Sequence, residues 1–254
     1  MKVFYQALFD FRSIKECVDF ALNNSFDGVE LGLSNPYLYQ DFMNRRIDFS
    51  IPILAHAVEG FDLLTPIEEV RKAGIDWLIG LIEKGKKEGV KVITIHLGPG
   101  LPFAYTGKKI YLQEEFASLF AEKLEEILAT FASLEIVAVE NVGVFRFGYV
   151  RDIVEKYLKR GLKLTWDLGH TFLKGDRSVE EDFFIKNREH IANIHIHDNC
   201  GQYDEHNVIG TGKIDFRRIM KRLSDWDGFL TIEVRPKEAA VQSLKRLREL
   251  GLCV

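Results

Sequence analysis

The stretch Val90-Lys91-Val92-Ile93-Thr94-Ile95-His96-Leu97 is a near-continuous apolar run, rich in β-branched residues, that reaches a histidine as it ends. A half-exposed antiparallel strand alternates apolar and polar side chains, whereas an unbroken run fits a parallel strand covered on both faces. Outward from this segment the pattern recurs. Residues 2–8, 28–33 and 51–56 form such runs before it, and 135–141, 162–168, 191–197 and 229–234 form them after it. Helical patterns separate the runs. Ser13 is placed to cap a helix carrying Ile14, Val18, Ala21 and Leu22 on one face. Residues 35–48 are irregular, with a short helix starting at Pro36. Thr65-Pro66 reads as an N-cap and first-turn proline opening a helix to residue 87. A loop rich in Gly and Pro then leads to a helix over 113–133. Further helices are expected over 149–159, 179–189, from the cap Asp215 to 223, and over 239–250.

Eight strands, each followed by a helix or a helix-sized connection, match a (β/α)8 TIM barrel, which takes about 250 residues. A doubly wound sheet would show a glycine-rich dinucleotide loop after its first strand, and none follows Leu8. The expected architecture is therefore α/β, a single barrel domain over the 254 residues. With 46% hydrophobic and 28% charged residues the chain has material for a large core and falls outside the disordered and membrane classes. No apolar run approaches the roughly 18 residues of a membrane span, and residues 1–10 read as a strand rather than a signal peptide. Cys17, Cys200 and Cys253 are too scattered for a disulfide framework or a thiolate metal site and read as packing residues. The expected compartment is the cytoplasm, with no membrane partner. A net charge of −4 argues against nucleic acid as a partner, except through a local basic groove.

Barrel active sites lie at the C-terminal ends of the strands. Here Glu30 closes the second run, His56 the third and His96 the fourth. Glu140-Asn141 closes the fifth, and Asp167 the sixth with His170 just beyond. The seventh ends His195-Ile196-His197-Asp198, its loop carries Asp204-Glu205-His206, and Glu233 closes the eighth. Strand alternation turns His195 and His197 the same way. Six of the seven histidines fall on this rim; His190, at a helix end, reads as structural. Burying so many carboxylates and imidazoles without a counter-charge is costly, and a divalent cation resolves it. Imidazole and carboxylate suit Zn and related first-row ions. Glu30 stays open between substrate contact and structural ion pair. Arg235, two residues past Glu233, stays open between a substrate group and an ion pair. Gly210-Thr211-Gly212 reads as a tight turn rather than a phosphate cradle, and the basic clusters at 84–87 and 217–222 as solvated helix faces.

Val139-Glu140-Asn141, Trp166-Asp167-Leu168-Gly169-His170, Ile194-His195-Ile196-His197-Asp198-Asn199 and the segment from Asp204 to Phe216 together resemble the xylose isomerase-like TIM-barrel superfamily. That group includes tagatose/psicose 3-epimerases and the endonuclease IV type of abasic-site nuclease. The resemblance implies a divalent ion, Mn or Zn, held by Glu140, Asp167, His195 and Glu233. On the nuclease pattern it implies up to three Zn, with His56, His96, His170, Asp204 and His206 as further ligands. It also implies an isomerase or epimerase of a small sugar or sugar phosphate. Such an enzyme works by proton abstraction next to a carbonyl through an enediolate, with Glu140 and Glu233 as the acid/base pair. Glu30, His197 and Arg235 are then expected at the substrate. The alternative is a zinc-dependent abasic-site phosphodiesterase acting on nucleic acid. Against it, strand three is followed by Ala57-Val58-Glu59-Gly60, which sets a carboxylate where phosphates would approach.

Overall fold

Eight parallel strands close on one another in the computed structural model, which describes residues 1–44, 50–173 and 177–253. In chain order they begin with β1 (Lys2–Ala7), β2 (Gly28–Gly32), β3 (Ile53–His56) and β4 (Ile93–Ile95). A two-stranded antiparallel hairpin of β5 (Pro102–Tyr105) and β6 (Lys108–Tyr111) then stands outside the barrel. The barrel resumes with β7 (Val137–Glu140), β8 (Lys163–Asp167), β9 (Ile191–Ile196) and β10 (Phe229–Ile232), and β1 pairs with both β2 and β10. The fold is a (β/α)8 TIM barrel. The helices are α1 (Ile14–Asn23), α2 (Pro36–Asn44), α3 (Glu68–Lys87), α4 (Leu112–Glu115), α5 (Ala117–Ala132), α6 (Gly148–Leu158), α7 (Leu168–Phe172), α8 (Arg177–Lys186), α9 (Phe216–Arg222) and α10 (Lys237–Glu249). Among the described residues no helix is long and apolar enough to cross a membrane.

Local chemistry explains most boundaries. Ser13 caps α1 by accepting from the Glu16 amide at 3.2 Å, and Asp215 caps α9 by accepting from the Arg218 amide at 3.0 Å. Thr65-Pro66 does not open α3. Asp62 bonds the amides of Leu64 and Thr65 in a turn of its own, and the helix starts only at Glu68, without a side-chain cap. The expected helix over 113–133 breaks at Phe116 into α4 and α5. The hairpin adds to the expected elements. Its signal is Thr106-Gly107, both at positive φ (47° and 72°), as a two-residue turn between twisted strands requires. Residues 45–48 of the irregular segment lie outside the described residues. Cys200 is exposed rather than packed.

Inside the barrel, apolar filling is confined to one level. Phe4, Leu54, Val92 and Ala138 pack together, with Phe229 and Ala192 beside them. The Phe4 ring occupies the space a side chain at Gly28 would need. The buried polar residues form a hydrogen-bonded layer. Thr94 and Thr165 share a hydroxyl bond of 2.8 Å, and Thr231 donates to Asn193 Oδ1 at 2.9 Å. Asn193 and Gln6 donate to Glu30 at 2.6 and 3.2 Å. Every group named here has a partner inside the barrel, so the layer avoids the cost of unmade bonds.

Candidate metal centre

The strand ends deliver the ionisable residues to one mouth. His56, Glu140 and Asp167 are the last residues of β3, β7 and β8, His195 lies one residue before the end of β9, and Glu233 follows β10 directly. Asp167 also caps α7, accepting from the His170 amide at 2.7 Å, which sets His170 one turn above it. The loop after β9 brings Asp204 and His206, the latter at φ 49°, a left-handed backbone that turns its ring inward. Asp198 anchors this loop. Its carboxylate accepts from the amides of Asn199, Gly210, Gly212 and Ile214 at 2.8–3.2 Å. Gly210-Thr211-Gly212 is thus a turn whose inward amides are held by the chain's own carboxylate.

Glu140 is the hub. Its Oε2 lies 3.0 Å from Nε2 of both His56 and His96, and its Oε1 3.2 Å from His170 Nδ1 and 3.6 Å from His195 Nδ1. His195 Nδ1 also faces Glu233 Oε2 at 3.0 Å and Asp167 Oδ2 at 3.9 Å. Donor atoms of Glu140, Asp167, His195 and Glu233 all lie within 4.8 Å of one another, as do those of His56, Glu140 and His195. Further out, Asp204 Oδ2 sits 3.2 Å from His170 Nε2 and 3.0 Å from His206 Nε2.

Three of these histidines have one nitrogen committed away from the centre. His56 Nδ1 donates to the Ala57 carbonyl at 3.0 Å and His206 Nδ1 to the Glu233 carbonyl at 2.9 Å. His195 Nε2 donates to the Glu30 carboxylate at 3.0 Å. Each commitment fixes the tautomer and presents the opposite lone pair inward, the arrangement of a metal-ligating imidazole. Asp167 Oδ2, His170 Nδ1 and His195 Nδ1 are buried and make no hydrogen bond of good geometry despite carboxylate or imidazole neighbours at 3.0–3.9 Å. A divalent cation supplies what these atoms lack, and the all-N/O donor set fits Zn or Mn. Without one, His56 and His206 hold protons more tightly than free imidazoles. Burial alone would lower the pKa of His56, but its hydrogen bond and attraction to Glu140 push it up to about 9. Burial likewise opposes, and Asp204 overcomes, the shift of His206 to about 9. Burial works against Glu140 and Glu233 too, but the surrounding imidazoles hold both carboxyls well below the usual range.

The cleft above, about 230 Å³, is walled by His56, Glu59, His96, Glu140, Val142, His170, Asp204, His206, Glu233 and Arg235. Two residues expected at the substrate are not on that wall. Glu30 is fully buried beneath His195, and its oxygens are occupied by His195, Asn193 and Gln6. Its place on β2, in register with Leu54, sets it a level below the mouth and against His195. His197 is also fully buried, behind Asp167 and Asp204. Arg235 does reach the wall. It pairs with Glu233 Oε1 and Gln6 Oε1 at 3.2 Å each, with its guanidinium over the exposed Phe9 ring. Sequence reasoning gave no role to Asn141, which bonds both the amide and the carbonyl of Asp167 at 2.7 and 2.9 Å and so sets that carboxylate's height. His190 lies at the opposite end of the barrel, on the wall of a 540 Å³ cavity among Lys2, Lys91 and Lys163.

Glu30→Gln is expected to weaken metal binding by about 10–100-fold, the usual effect of removing a group that orients a ligand. Competition with a chromophoric chelator measures it; unchanged affinity would show that His195 needs no orienting carboxylate.

Fold and site together define a parallel barrel built to hold divalent metal at its mouth. The chain belongs to the xylose isomerase-like TIM barrel family, which matches residues 18–250. An uncharacterized protein of Methanocaldococcus jannaschii is 31% identical over 188 residues, 74% of this chain and 68% of its own length. Among solved structures, a D-tagatose 3-epimerase-like protein superposes with a TM-score of 0.78 at 22% identity, covering 99% of this chain and 98% of its own. Endonuclease IV from Thermus thermophilus superposes with a TM-score of 0.68 at 17% identity, covering all of both chains. At these identities the likeness to solved structures is one of fold.

Proposed function

We propose that the protein is a divalent-metal-dependent isomerase or epimerase of a sugar or sugar phosphate, acting as a single-domain cytoplasmic enzyme over residues 1–254. The observation that carries the metal requirement is the outward commitment of one nitrogen on each of His56, His195 and His206. Glu140, Asp167, His195 and Glu233 would hold the ion, Mn or Zn, and His56, His96, His170, Asp204 and His206 would hold more ions or contact substrate. A bound divalent ion supplies polarisation of the substrate carbonyl. The protein supplies the proton transfers, and Glu140 and Glu233 are the assigned pair. Glu233 is the less crowded of the two, since its oxygens face His195 and Arg235 at 3.0 and 3.2 Å whereas those of Glu140 face four imidazoles. Arg235 on the cleft wall is placed to bind a hydroxyl, carboxylate or phosphate of the substrate.

A second reading, the abasic-site phosphodiesterase, is favoured by the histidines added around Glu140 and Asp204. Glu59 on the cleft wall weighs against it, because it repels a phosphate backbone. Elemental analysis of protein purified without added metal, followed by assays on ketoses and on abasic-site duplex DNA, separates the two. Bound metal with ketose turnover is expected. Strand incision at sub-stoichiometric enzyme with three Zn would replace the first reading by the second. Bound metal with neither activity would leave a metal-binding barrel without catalysis.

A further inference from the structure

His197 is fully buried at the heart of the site, yet neither ring nitrogen has a hydrogen-bond partner of good geometry. Its space is specifically provided. A Cβ at Gly169 would overlap the imidazole, and the ring stacks on that of His206 with centroids 4.1 Å apart and planes 23° apart. His197 Nε2 lies 3.3 Å from Asp167 Oδ1 and 3.4 Å from Asp204 Oδ1. Asp204 Oδ1 is turned away from the other imidazoles, whereas Asp167 Oδ1 also accepts from the His170 amide at 2.7 Å and lies 3.9 Å from His170 Nδ1. Asp167 presents Oδ2 to His195, and Asp204 presents Oδ2 to His170 and His206. An N–H directed between two acceptors meets neither at ideal geometry, which accounts for a nitrogen near two carboxylates that bonds neither well.

The two aspartates belong to different groups of donors. Asp167 joins Glu140, His195 and Glu233 in one group and Asp204 joins His206 in another and approaches His170, while His197 lies within reach of both, beside Asp167 and His170 and beside Asp204 and His206. We propose that His197 is a positioning residue that couples two cation sites: its Nε2–H is shared between Asp167 and Asp204, so that an ion taken up by one group fixes the carboxylate of the other. The inference rests on the reading of the mouth as a metal centre. It gives His197 a role in metal assembly rather than at the substrate.

The test is zinc titration of the metal-free protein against a competing chelator, for the wild type, His197→Gln and His197→Leu, with His197→Met should the leucine variant fail to fold. A glutamine amide nitrogen occupies nearly the place of Nε2 and keeps a donor there; leucine and methionine keep volume without one. The wild type is expected to take up at least two ions cooperatively. The leucine variant should bind the second ion about 10–100-fold more weakly and without cooperativity, and glutamine should restore much of both. A packing role alone would leave leucine and glutamine alike. Equal affinities and cooperativity in all three proteins would overturn the proposal, and so would uptake of only one ion by the wild type. A zinc-edge anomalous peak about 2.0–2.1 Å from His197 Nε2 would also overturn it, by making His197 a ligand. Uptake of no ion at all would remove the metal centre itself, and with it the reading on which the proposal rests.

Discussion

Glu233→Gln is expected to keep much of the bound metal and to lower turnover by about 10²–10⁴-fold, the usual worth of a general acid/base. The amide is isosteric and retains an oxygen toward His195 Nδ1, which Glu233 Oε2 now approaches at 3.0 Å. What it loses is the capacity to accept a proton and return it. In the wild type, solvent deuterium is expected to enter the substrate carbon, because epimerisation next to a carbonyl removes a proton on one face and adds one on the other. Turnover of a ketose without that exchange would point to a hydride shift and return Glu140 and Glu233 to the role of ligands. Full activity of the glutamine variant would do the same for Glu233 alone.

Removing the metal is expected to reverse the pH dependence of stability. In the metal-free protein His56 and His206 titrate at about 9, above the ordinary value of 6.5 that they regain on unfolding. A raised folded-state pKa gives stability that is complete below about 6.5 and is lost as pH rises through about 9. For the buried His56 and the partly buried His206 together the loss is on the order of several kcal/mol. The metal-loaded protein has the opposite dependence, since its ligands must be deprotonated and metal binding strengthens as protons become scarcer. Calorimetric melting between about pH 6 and 9.5, with and without chelator, should show the metal-free midpoint falling and the gap to the loaded protein widening. Parallel curves would mean that these imidazoles carry no extra protons when the metal is gone.

The barrel is legible in the sequence because its strands are buried on both faces, and continuous apolar runs of that kind are hard to mistake. The rim is legible for the same reason: a strand that ends in an imidazole or carboxylate shows where the apolar environment stops. Depth is not legible. Alternation tells which residues point into the barrel, but Glu30 and His197 differ from their neighbours by their level along its axis. That level is set by the stagger of adjacent strands, which no single run encodes. Glu30 on β2 pairs in register with Leu54 on β3, so it sits at the height of an apolar residue two steps before His56. The hairpin β5–β6 escapes a sequence reading because Pro102–Tyr105 lies just past Gly98-Pro99-Gly100 and shows no alternation of apolar and polar residues, although all of it is exposed.

The grip of Asp198 on the turn at residues 210–214 divides the mouth into parts with different mechanical supports. Glu140, Asp167 and Glu233 stand on or beside the staves of the barrel and share its rigidity. Asp204 and His206 ride together on one loop, closed at its base by a single carboxylate on four amides. That loop can change in length or sequence between its anchored ends without disturbing a strand. The inner donors are therefore held by the barrel itself. The outer pair is a detachable module, through which a lineage of barrels could gain or shed capacity for additional ions while keeping the same floor.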